Sequence, residues 1–242
     1  GLTIFTVMSK MAQEYNAINL AQGFPDFPVA HELIEGVYYY MKKGMNQYAP
    51  MPGMPKLRET IADKLEKTYS QAFDMNEEIT VTAGAIEALN STITALVRTG
   101  DEVIIIDPAY DAYAPIIEMN AAIPVSVSLR SEDFSIDWES VRRKITPKTR
   151  MILINSPHNP TGSVISEADL RQLEEIVEGT DILILSDEVY EHIIFDGQIH
   201  QSVLWSEKLR KRSVVVYSFG KTFHATGWRV GYFVAPPGLT KE

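Results

Sequence analysis

Two basic side chains and a hydroxyl lie within twelve residues near the end of this sequence. Lys221 stands in Ser218-Phe-Gly-Lys-Thr222, directly after the apolar run Val214-Val-Val-Tyr217, and Arg229 follows eight residues later. A β-branched run of this kind is typical of a buried strand, so the lysine is expected at the rim of a sheet. An amine fixed there beside a second cation suits covalent attachment to the carbonyl carbon of an anionic cofactor. The alternative is an ordinary surface lysine.

A nucleotide phosphate loop is the rival interpretation of the same segment, because Gly220-Lys-Thr222 matches the end of that motif. The motif requires a further glycine five residues before Gly220, so that backbone amides wrap the phosphate. Position 215 is a valine inside the predicted strand. The phosphate-loop interpretation is therefore excluded.

Composition limits the possible functions. The chain has 242 residues, 45% hydrophobic and 22% charged, with a formal charge of -10 and no cysteine. The negative charge argues against general binding to nucleic acid or to anionic membranes. The absence of cysteine excludes disulfides and permits a reducing compartment, so we expect a cytoplasmic protein. No apolar run has the length of a membrane span, and no basic-then-apolar leader opens the sequence.

Short β-branched runs alternate with amphipathic runs from about residue 79 onward. This alternation predicts an α/β fold with a mainly parallel seven-stranded sheet and helices on both faces, preceded by an N-terminal segment. The predicted helices are 32–42, 85–97, 110–119, 138–145 and 167–177, and the predicted strands are 79–82, 103–106, 124–127, 151–154, 182–185, 214–217 and 230–234.

Polar residues cluster where the predicted strands end. Asn155 to Asn159 follow the fourth strand, Asp187 the fifth, and Ser218 to Lys221 the sixth. Ligands of parallel sheets bind beyond the carboxyl ends of the strands, so these side chains predict a site there. Asp187, after an apolar run, suits a cationic partner such as a protonated pyridine nitrogen, and a helix N-cap is its alternative role.

Three further segments have a functional and a structural interpretation each. Asn155-Ser-Pro-His-Asn-Pro-Thr-Gly162 is a proline-framed turn that either directs polar side chains or is only rigid. Thr82-Ala-Gly-Ala-Ile86 offers backbone amides at a helix start for phosphate, or is a simple tight turn. Tyr110 either stacks on a cofactor ring or packs in the core. The histidines lack ligand spacing, so no metal site is predicted.

Together these segments resemble the pyridoxal-phosphate-dependent aminotransferases of fold type I, class I/II, and most of all the methionine and kynurenine (glutamine) aminotransferase group. The resemblance covers nearly the whole chain in the family's order. It rests on Gln22-Gly-Phe-Pro-Asp-Phe27, Asn46-Gln-Tyr-Ala-Pro50, Thr82-Ala-Gly-Ala85, Asp107-Pro-Ala-Tyr110, Asn155-Ser-Pro-His-Asn-Pro-Thr-Gly162, Ser186-Asp-Glu-Val-Tyr190 and Ser218-Phe-Gly-Lys-Thr-Phe-His-Ala-Thr-Gly-Trp-Arg229.

The resemblance implies a role for each matching residue around the cofactor ring. Lys221 would bond to pyridoxal phosphate and then move a proton between the substrate Cα and the cofactor. Asp187 would pair with the pyridinium nitrogen. Asn159 and Tyr190 would hydrogen-bond the 3′ oxygen, and Tyr110 would stack on the ring. Lys221, Asp187 and Tyr190 are the implied catalytic residues.

The same resemblance implies how phosphate and substrate are held. Ser218, Arg229 and the amides of Gly84 and Ala85 would bind the phosphate. Tyr48 would reach the phosphate of a neighbouring subunit, which implies a homodimer. The substrate pocket would include Gly23 and Asn159, with Phe24, Phe27 and Tyr113 near it.

The implied domains are an N-terminal segment of the small domain or dimer arm (1–45) and a large cofactor-binding domain (46–242). In the family a C-terminal small domain follows and supplies the arginine that binds the substrate carboxylate. No residue here takes that role. We therefore expect the chain to be part of a longer enzyme and to be inactive alone.

The expected reaction is transamination between an L-amino acid and a 2-oxo acid, with methionine, aromatic amino acids or glutamine as donors. A C–S β-lyase of the same fold is the alternative enzyme. A non-catalytic pyridoxal-phosphate-binding or regulatory fragment is the alternative outside catalysis. Neither nucleic acid nor membrane is expected as a partner.

Overall fold

A computed structural model gives the structure of residues 3–21, 23 and 27–242. The chain divides into two compact units, Gly1–Asn46 and Gln47–Glu242. The N-terminal unit contains helix α1 (Ile4–Glu14), which was not predicted, and helix α2 (His31–Lys42), which was. Helix α1 begins where the Thr3 hydroxyl accepts a hydrogen bond from the Thr6 amide, an N-cap that replaces a missing helical partner.

The C-terminal unit is an α/β structure with seven strands, which confirms the predicted fold class. The strands are β1 (Ile79–Thr82), β2 (Glu102–Asp107), β3 (Ile123–Ser128), β4 (Thr149–Asn155), β5 (Leu183–Asp187), β6 (Ser213–Ser218) and β7 (Gly231–Val234). The helices are α3 (Pro55–Tyr69), α4 (Ala85–Leu96), α5 (Tyr113–Met119), α6 (Trp138–Lys144), α7 (Glu167–Val177), α8 (Glu207–Arg210), α9 (Phe219–Thr222) and α10 (Pro237–Thr240), with short 3-10 turns at Val203–Trp205 and Thr226–Trp228.

The sheet order is β1-β7-β6-β5-β4-β2-β3, and β7 runs antiparallel to both of its neighbours. The other neighbouring pairs are parallel. Side chains of β4 alternate between two apolar layers, with Ile152 and Ile154 in one layer and Met151 and Leu153 in the other. A sheet buried on both faces explains why its strands read as continuous apolar runs.

Helix α3 was not predicted from the sequence, although it is 15 residues long. Pro55 occupies its first turn, where the missing amide is not needed. Ile61, Leu65 and Tyr69 recur every four residues and are buried against the sheet. Helix α5 begins at Tyr113 rather than at Tyr110. None of the helices in the described ranges is long and apolar enough to cross a membrane.

The strand ends bring the predicted polar residues together. Asn155, Asp187 and Ser218 are the last residues of β4, β5 and β6, and Asn155 pairs with Asp187 in the parallel register. The Asn155 side-chain amide donates to the Asp187 carbonyl oxygen at 2.9 Å. The ends of three neighbouring strands therefore form one polar edge, as the sequence predicts.

A second carboxylate, Glu188, directly follows Asp187 and is fully buried. It lies on the other face of the sheet from the Asp187 side chain. One of its oxygens accepts hydrogen bonds from the hydroxyls of Ser186 (2.9 Å) and Ser202 (3.0 Å) and from the Val203 amide (3.3 Å). The other oxygen lies 2.8 Å from Nε2 of His200. Several donors and a cationic partner are what a buried carboxylate requires.

The Glu188–His200 pair should make stability depend on pH. Burial works to lower the pKa of His200, but the hydrogen bond and charge of Glu188 outweigh it, so the pKa is raised above its ordinary 6.5. The protonated imidazole therefore stabilises the folded state fully below pH 6.5, and this stabilisation is lost as pH rises through the raised pKa. His200→Gln should lower the free energy of unfolding by about 1–3 kcal/mol at acidic pH, and by less in alkali.

Urea unfolding of both proteins between about pH 5 and pH 9 measures this difference. His192→Gln is the matched control, because His192 is exposed and lies 3.5 Å from Glu191. Exposed pairs contribute little, so the control should differ from the parent by a small, nearly constant amount. A difference for His200→Gln that does not change with pH would contradict the pairing.

Candidate active site

Lys221 lies one helical turn beyond the end of β6, in the short helix α9. Its side chain is half-buried, and Nζ stands 5.3 Å from the centroid of the Tyr190 ring. Burial lowers the pKa of Lys221, and the charge of Arg229 lowers it further against the opposing effect of Asp187. The amine is thus shifted toward its neutral, nucleophilic form.

Asp187 is buried at the end of β5. Burial raises the pKa of its carboxyl to about 6, while hydrogen bonds from the Tyr113 hydroxyl and the Val189 amide oppose that rise. The chain continues into a turn at 189–192, and no helix begins there. Asp187 is therefore not a helix N-cap, which was its alternative interpretation.

Asn155 ties the proline-framed turn to Asp187. Its side-chain oxygen accepts from the Asn159 amide at 2.7 Å, while its nitrogen donates to the Asp187 carbonyl. Asn159 in turn meets Tyr190: burial and the charge of Asp187 raise the pKa of Tyr190, and a hydrogen bond with the Asn159 side chain opposes the rise. The structure thus brings Asn159, Tyr190 and Asp187 together, with Asn155 as a positioning residue that sequence reasoning did not single out.

Tyr110 and Tyr113 lie on one side of the site. Their ring centroids are 5.5 Å apart, and the angle between their ring planes is 77°. Tyr110 is half-buried, and its stacking role stays a prediction. Tyr113 was expected near the substrate, but its ring is buried and its hydroxyl donates to Asp187 Oδ2 at 2.7 Å. The helical position of Tyr113 gave no signal for this contact, since it depends on how α5 packs over β2 and β3 and so brings the hydroxyl to the end of β5.

Gly84 and Arg229 form a cationic corner at the start of α4. Gly84 has φ of 81°, and a Cβ there would lie 2.6 Å from a terminal guanidinium nitrogen of Arg229. Arg229 is itself left-handed (φ 55°, ψ 56°), an unusual backbone for a non-glycine residue. The first-turn amides of α4 from Ala85 onward and this guanidinium together suit an anion. The Gly84 amide does not add to them, because it donates to the Thr82 carbonyl oxygen at 2.8 Å.

Gly231, the first residue of β7, permits that corner to form. A Cβ at this position would lie 2.7 Å from the Tyr217 carbonyl oxygen, 2.8 Å from the Ala85 nitrogen and 2.8 Å from the Gly84 carbonyl carbon. Gly231 pairs with Ser218, which is half-buried at the end of β6. Sequence reasoning missed Gly231, because only the tertiary approach of α4 shows what its missing side chain allows.

The roles predicted for Tyr48 and Gly23 stay predictions. Tyr48 is fully exposed. Gly23 belongs to the N-terminal unit, and nothing lies within 4 Å of a Cβ placed on it. Gln22 and Phe24 lie outside the described residues. In the part of the chain that the structure describes, no group of three or more His, Asp or Glu side chains suits a metal ion.

The arrangement combines three chemical capacities at one edge of the sheet. A buried carboxylate suits a cationic ring nitrogen, a cationic corner suits a phosphate, and a half-buried amine of lowered pKa suits a carbonyl carbon. All three belong to the same unit of the chain.

Comparison with known proteins agrees with the chemistry that these residues suggest. The sequence pattern of the family "Aminotransferase class I and II" matches residues 15–240. A methionine aminotransferase of Escherichia coli is 50% identical over the whole chain, which covers 63% of that protein. Human kynurenine–oxoglutarate transaminase 3 is 35% identical, with 99% of this chain and 55% of the relative covered.

Solved structures agree with the sequence relatives. An E. coli protein identified as a methionine aminotransferase superposes with a TM-score of 0.96 at 49% identity, covering 99% of this chain and 63% of the other. The N-succinyldiaminopimelate aminotransferase of Mycobacterium tuberculosis also gives 0.96, at 37% identity, covering all of this chain and 63% of the other. The chain thus spans less than two thirds of the length of these relatives.

The close approach at Gly231 yields a test of the cationic corner. Gly231→Ala should lower the free energy of unfolding by about 1–3 kcal/mol. The added methyl group would overlap backbone atoms of β6 and α4, and relieving this overlap requires a shift of the whole strand or helix. Urea denaturation measures the change. Gly227→Ala is the control, since nothing lies within 4 Å of a Cβ at that exposed position. Equal stability of the two variants would show that the approach is looser than described.

Proposed function

The chain belongs to the class I and II aminotransferases, and we propose that it carries out the cofactor chemistry of a transamination from an L-amino acid to a 2-oxo acid. Members of this family depend on pyridoxal phosphate. The observation that carries the proposal is the combination of a buried Asp187 with a half-buried Lys221 of lowered pKa at neighbouring strand ends.

The residues present fit pyridoxal phosphate. Burial raises the pKa of Asp187 to about 6, so its carboxylate gains from a cationic hydrogen-bond donor such as a protonated ring nitrogen. Gly84 leaves room for the Arg229 guanidinium beside the amides of α4, which suits the phosphate. Tyr190 and Asn159, whose side chains interact closely enough to affect the pKa of Tyr190, suit a phenolic oxygen.

We assign the roles of these side chains as follows. When bound, pyridoxal phosphate draws electrons from the Cα of an attached amino acid and makes its C–H bond acidic. Lys221 Nζ holds the cofactor before substrate arrives and, once released as a neutral amine, removes the Cα proton. Asp187 keeps the proton on the ring nitrogen. Arg229, Ser218 and the Ala85 amide fix the phosphate, and Tyr110 covers one ring face. The Gly84 amide was expected to share this role, but it already donates to the Thr82 carbonyl oxygen at 2.8 Å.

Substrate, assembly and location are further parts of the proposal. The names of the E. coli and human relatives support methionine or an aromatic amino acid as the amino donor, with glutamine as a third choice. Exposed Tyr48 supports a homodimer in which it reaches the partner's phosphate, and Gly23 is assigned to the substrate pocket. A chain without cysteine suits the cytoplasm.

Covalent attachment at Lys221 is the direct test. Pyridoxal phosphate added to the protein that contains this chain should give an absorbance band that borohydride reduction abolishes, with the reduced cofactor located on Lys221 by peptide mass spectrometry. Lys221→Arg should bind cofactor without becoming labelled, because a guanidinium stays protonated. Labelling of another lysine, or of none, would overturn the proposal.

Replacing the buried carboxylate separates its catalytic and structural effects. Asp187→Asn should reduce the transamination rate far more than cofactor affinity, since the charge matters most as carbanion charge develops. A carboxyl whose folded pKa is raised destabilises the fold increasingly as pH rises from the unfolded value of 3.8 to the folded value of about 6, and fully above that. The cofactor-free variant should therefore unfold with a free energy roughly 1–3 kcal/mol higher than the parent at neutral pH.

The gain in stability should disappear as pH falls toward the unfolded pKa of 3.8, where both states carry a neutral carboxyl. Asp111→Asn is the control, because Asp111 is exposed and follows Tyr110 in the same loop. It should leave both rate and stability close to those of the parent. A stability gain in the control, or none in Asp187→Asn, would contradict the burial argument.

A further inference from the structure

The Asp187 carboxylate is held by very few donors. The Val189 amide reaches Oδ1 at 3.3 Å from the same turn, and the Tyr113 hydroxyl reaches Oδ2 at 2.7 Å from helix α5. Asn155 and Ser156 bind the backbone carbonyl of Asp187, not its side chain. Among the described residues, Tyr113 therefore makes the shorter bond to the carboxylate and the one that comes from a different element.

Tyr113 is suited to act as a permanent donor. Burial raises the pKa of its phenol well above 10, and the negative charge of Asp187 raises it further. The hydroxyl therefore stays protonated wherever the protein is folded and always has a proton to give. Its ring is fixed, since it is buried in the same apolar cluster as Ile117 and Val189 and meets the edge of Tyr110.

The other titratable groups near the carboxylate do not offer a steady donor. Lys221 lowers the pKa of Asp187, but its own pKa is lowered and its charge changes when it bonds to a cofactor. Glu188 raises the pKa of Asp187. Tyr110 and Tyr190 interact with it electrostatically, without a hydrogen bond to it.

We propose that Tyr113 is a positioning residue that holds Oδ2 of Asp187 and keeps this carboxylate ionised, so that the proton shared with the cofactor's ring nitrogen stays on the ring. A donated hydrogen bond makes a carboxylate less basic. Without it, the proton would move toward Asp187, and the ring would lose the positive charge that draws electrons from the substrate. This inference rests on the proposed function.

The test uses Tyr113→Phe, which keeps the buried ring and removes only the hydroxyl. In the cofactor-free protein, the Asp187 carboxyl is titrated by carbon-13 NMR, with its signal assigned from Asp187→Asn. Removing the donor should raise the midpoint by roughly one pH unit. An unchanged midpoint would overturn the proposal.

A second readout follows binding through the ring nitrogen. Pyridoxamine phosphate, which has no carbonyl for Lys221, is compared by calorimetry with its deaza analogue, in which carbon replaces the ring nitrogen. The parent should prefer the nitrogen-containing ligand and lose that preference on acidification as Asp187 is protonated. In Tyr113→Phe the loss should occur at a pH higher by about the same one unit.

The outcomes separate the two proposals. If the parent shows no preference for the ring nitrogen at any pH, the proposed function fails and this inference fails with it. If the parent shows the preference but Tyr113→Phe has the same pH profile, only the role of Tyr113 is overturned. Equal weakening of both ligands would also overturn it, because that result signals a general disturbance of the site.

Two further variants guard against a folding defect. Tyr69→Phe removes a buried hydroxyl that faces Tyr217 at 3.3 Å, away from Asp187, and should leave the midpoint unchanged. A fluorinated tyrosine at position 113 keeps the shape of the ring but is a stronger donor, so it should move the midpoint downward. Shifts in opposite directions for the weaker and stronger donors cannot arise from loss of packing, and an upward shift with fluorotyrosine would overturn the proposal.

Discussion

A carboxylate at the buried end of β5 is the constraint around which the site is arranged. Removing the charge of Asp187 from water is unfavourable, and the two hydrogen bonds it receives do not offset the loss, because its pKa stays raised to about 6. The surrounding fold holds this charge in place through the packing of β4, β6 and α5. Such a tension between stability and chemistry is common where a ligand completes the site.

The cationic corner formed by Gly84 and Arg229 holds charge in a different way, through the shape of the backbone. Gly84 and Gly231 contribute no side chain, and their absence of a Cβ lets the start of α4, the end of β6 and the Arg229 guanidinium meet. Arg229 adopts a left-handed backbone in the turn between Thr226–Trp228 and β7. Local strain of this kind persists only where neighbouring structure fixes it.

The sequence predicted the features that depend on local pattern. The seven β-branched runs predicted the seven strands. The polar residues after those runs predicted that Asn159, Asp187 and Lys221 lie at one edge of the sheet. The contact of Tyr113 with Asp187, the role of Gly231 and the Glu188–His200 pair were not predicted, because each depends on a contact between residues far apart in sequence. Helix α3 was missed for another reason: most of its residues are polar, and only its buried stripe of Ile61, Leu65 and Tyr69 shows the helical period.

Asp187 and Glu188 follow one another at the end of β5, yet they serve opposite faces of the sheet. Glu188 meets Ser186, Ser202 and His200, whereas Asp187 meets Tyr113. If β5 slipped by one residue against its neighbours, each acid would turn toward the face prepared for the other. Two buried charges would then lack their donors at once, at several kcal/mol each. The adjacent acids therefore add to the free energy that favours the observed register of the central strands over one shifted by a single residue.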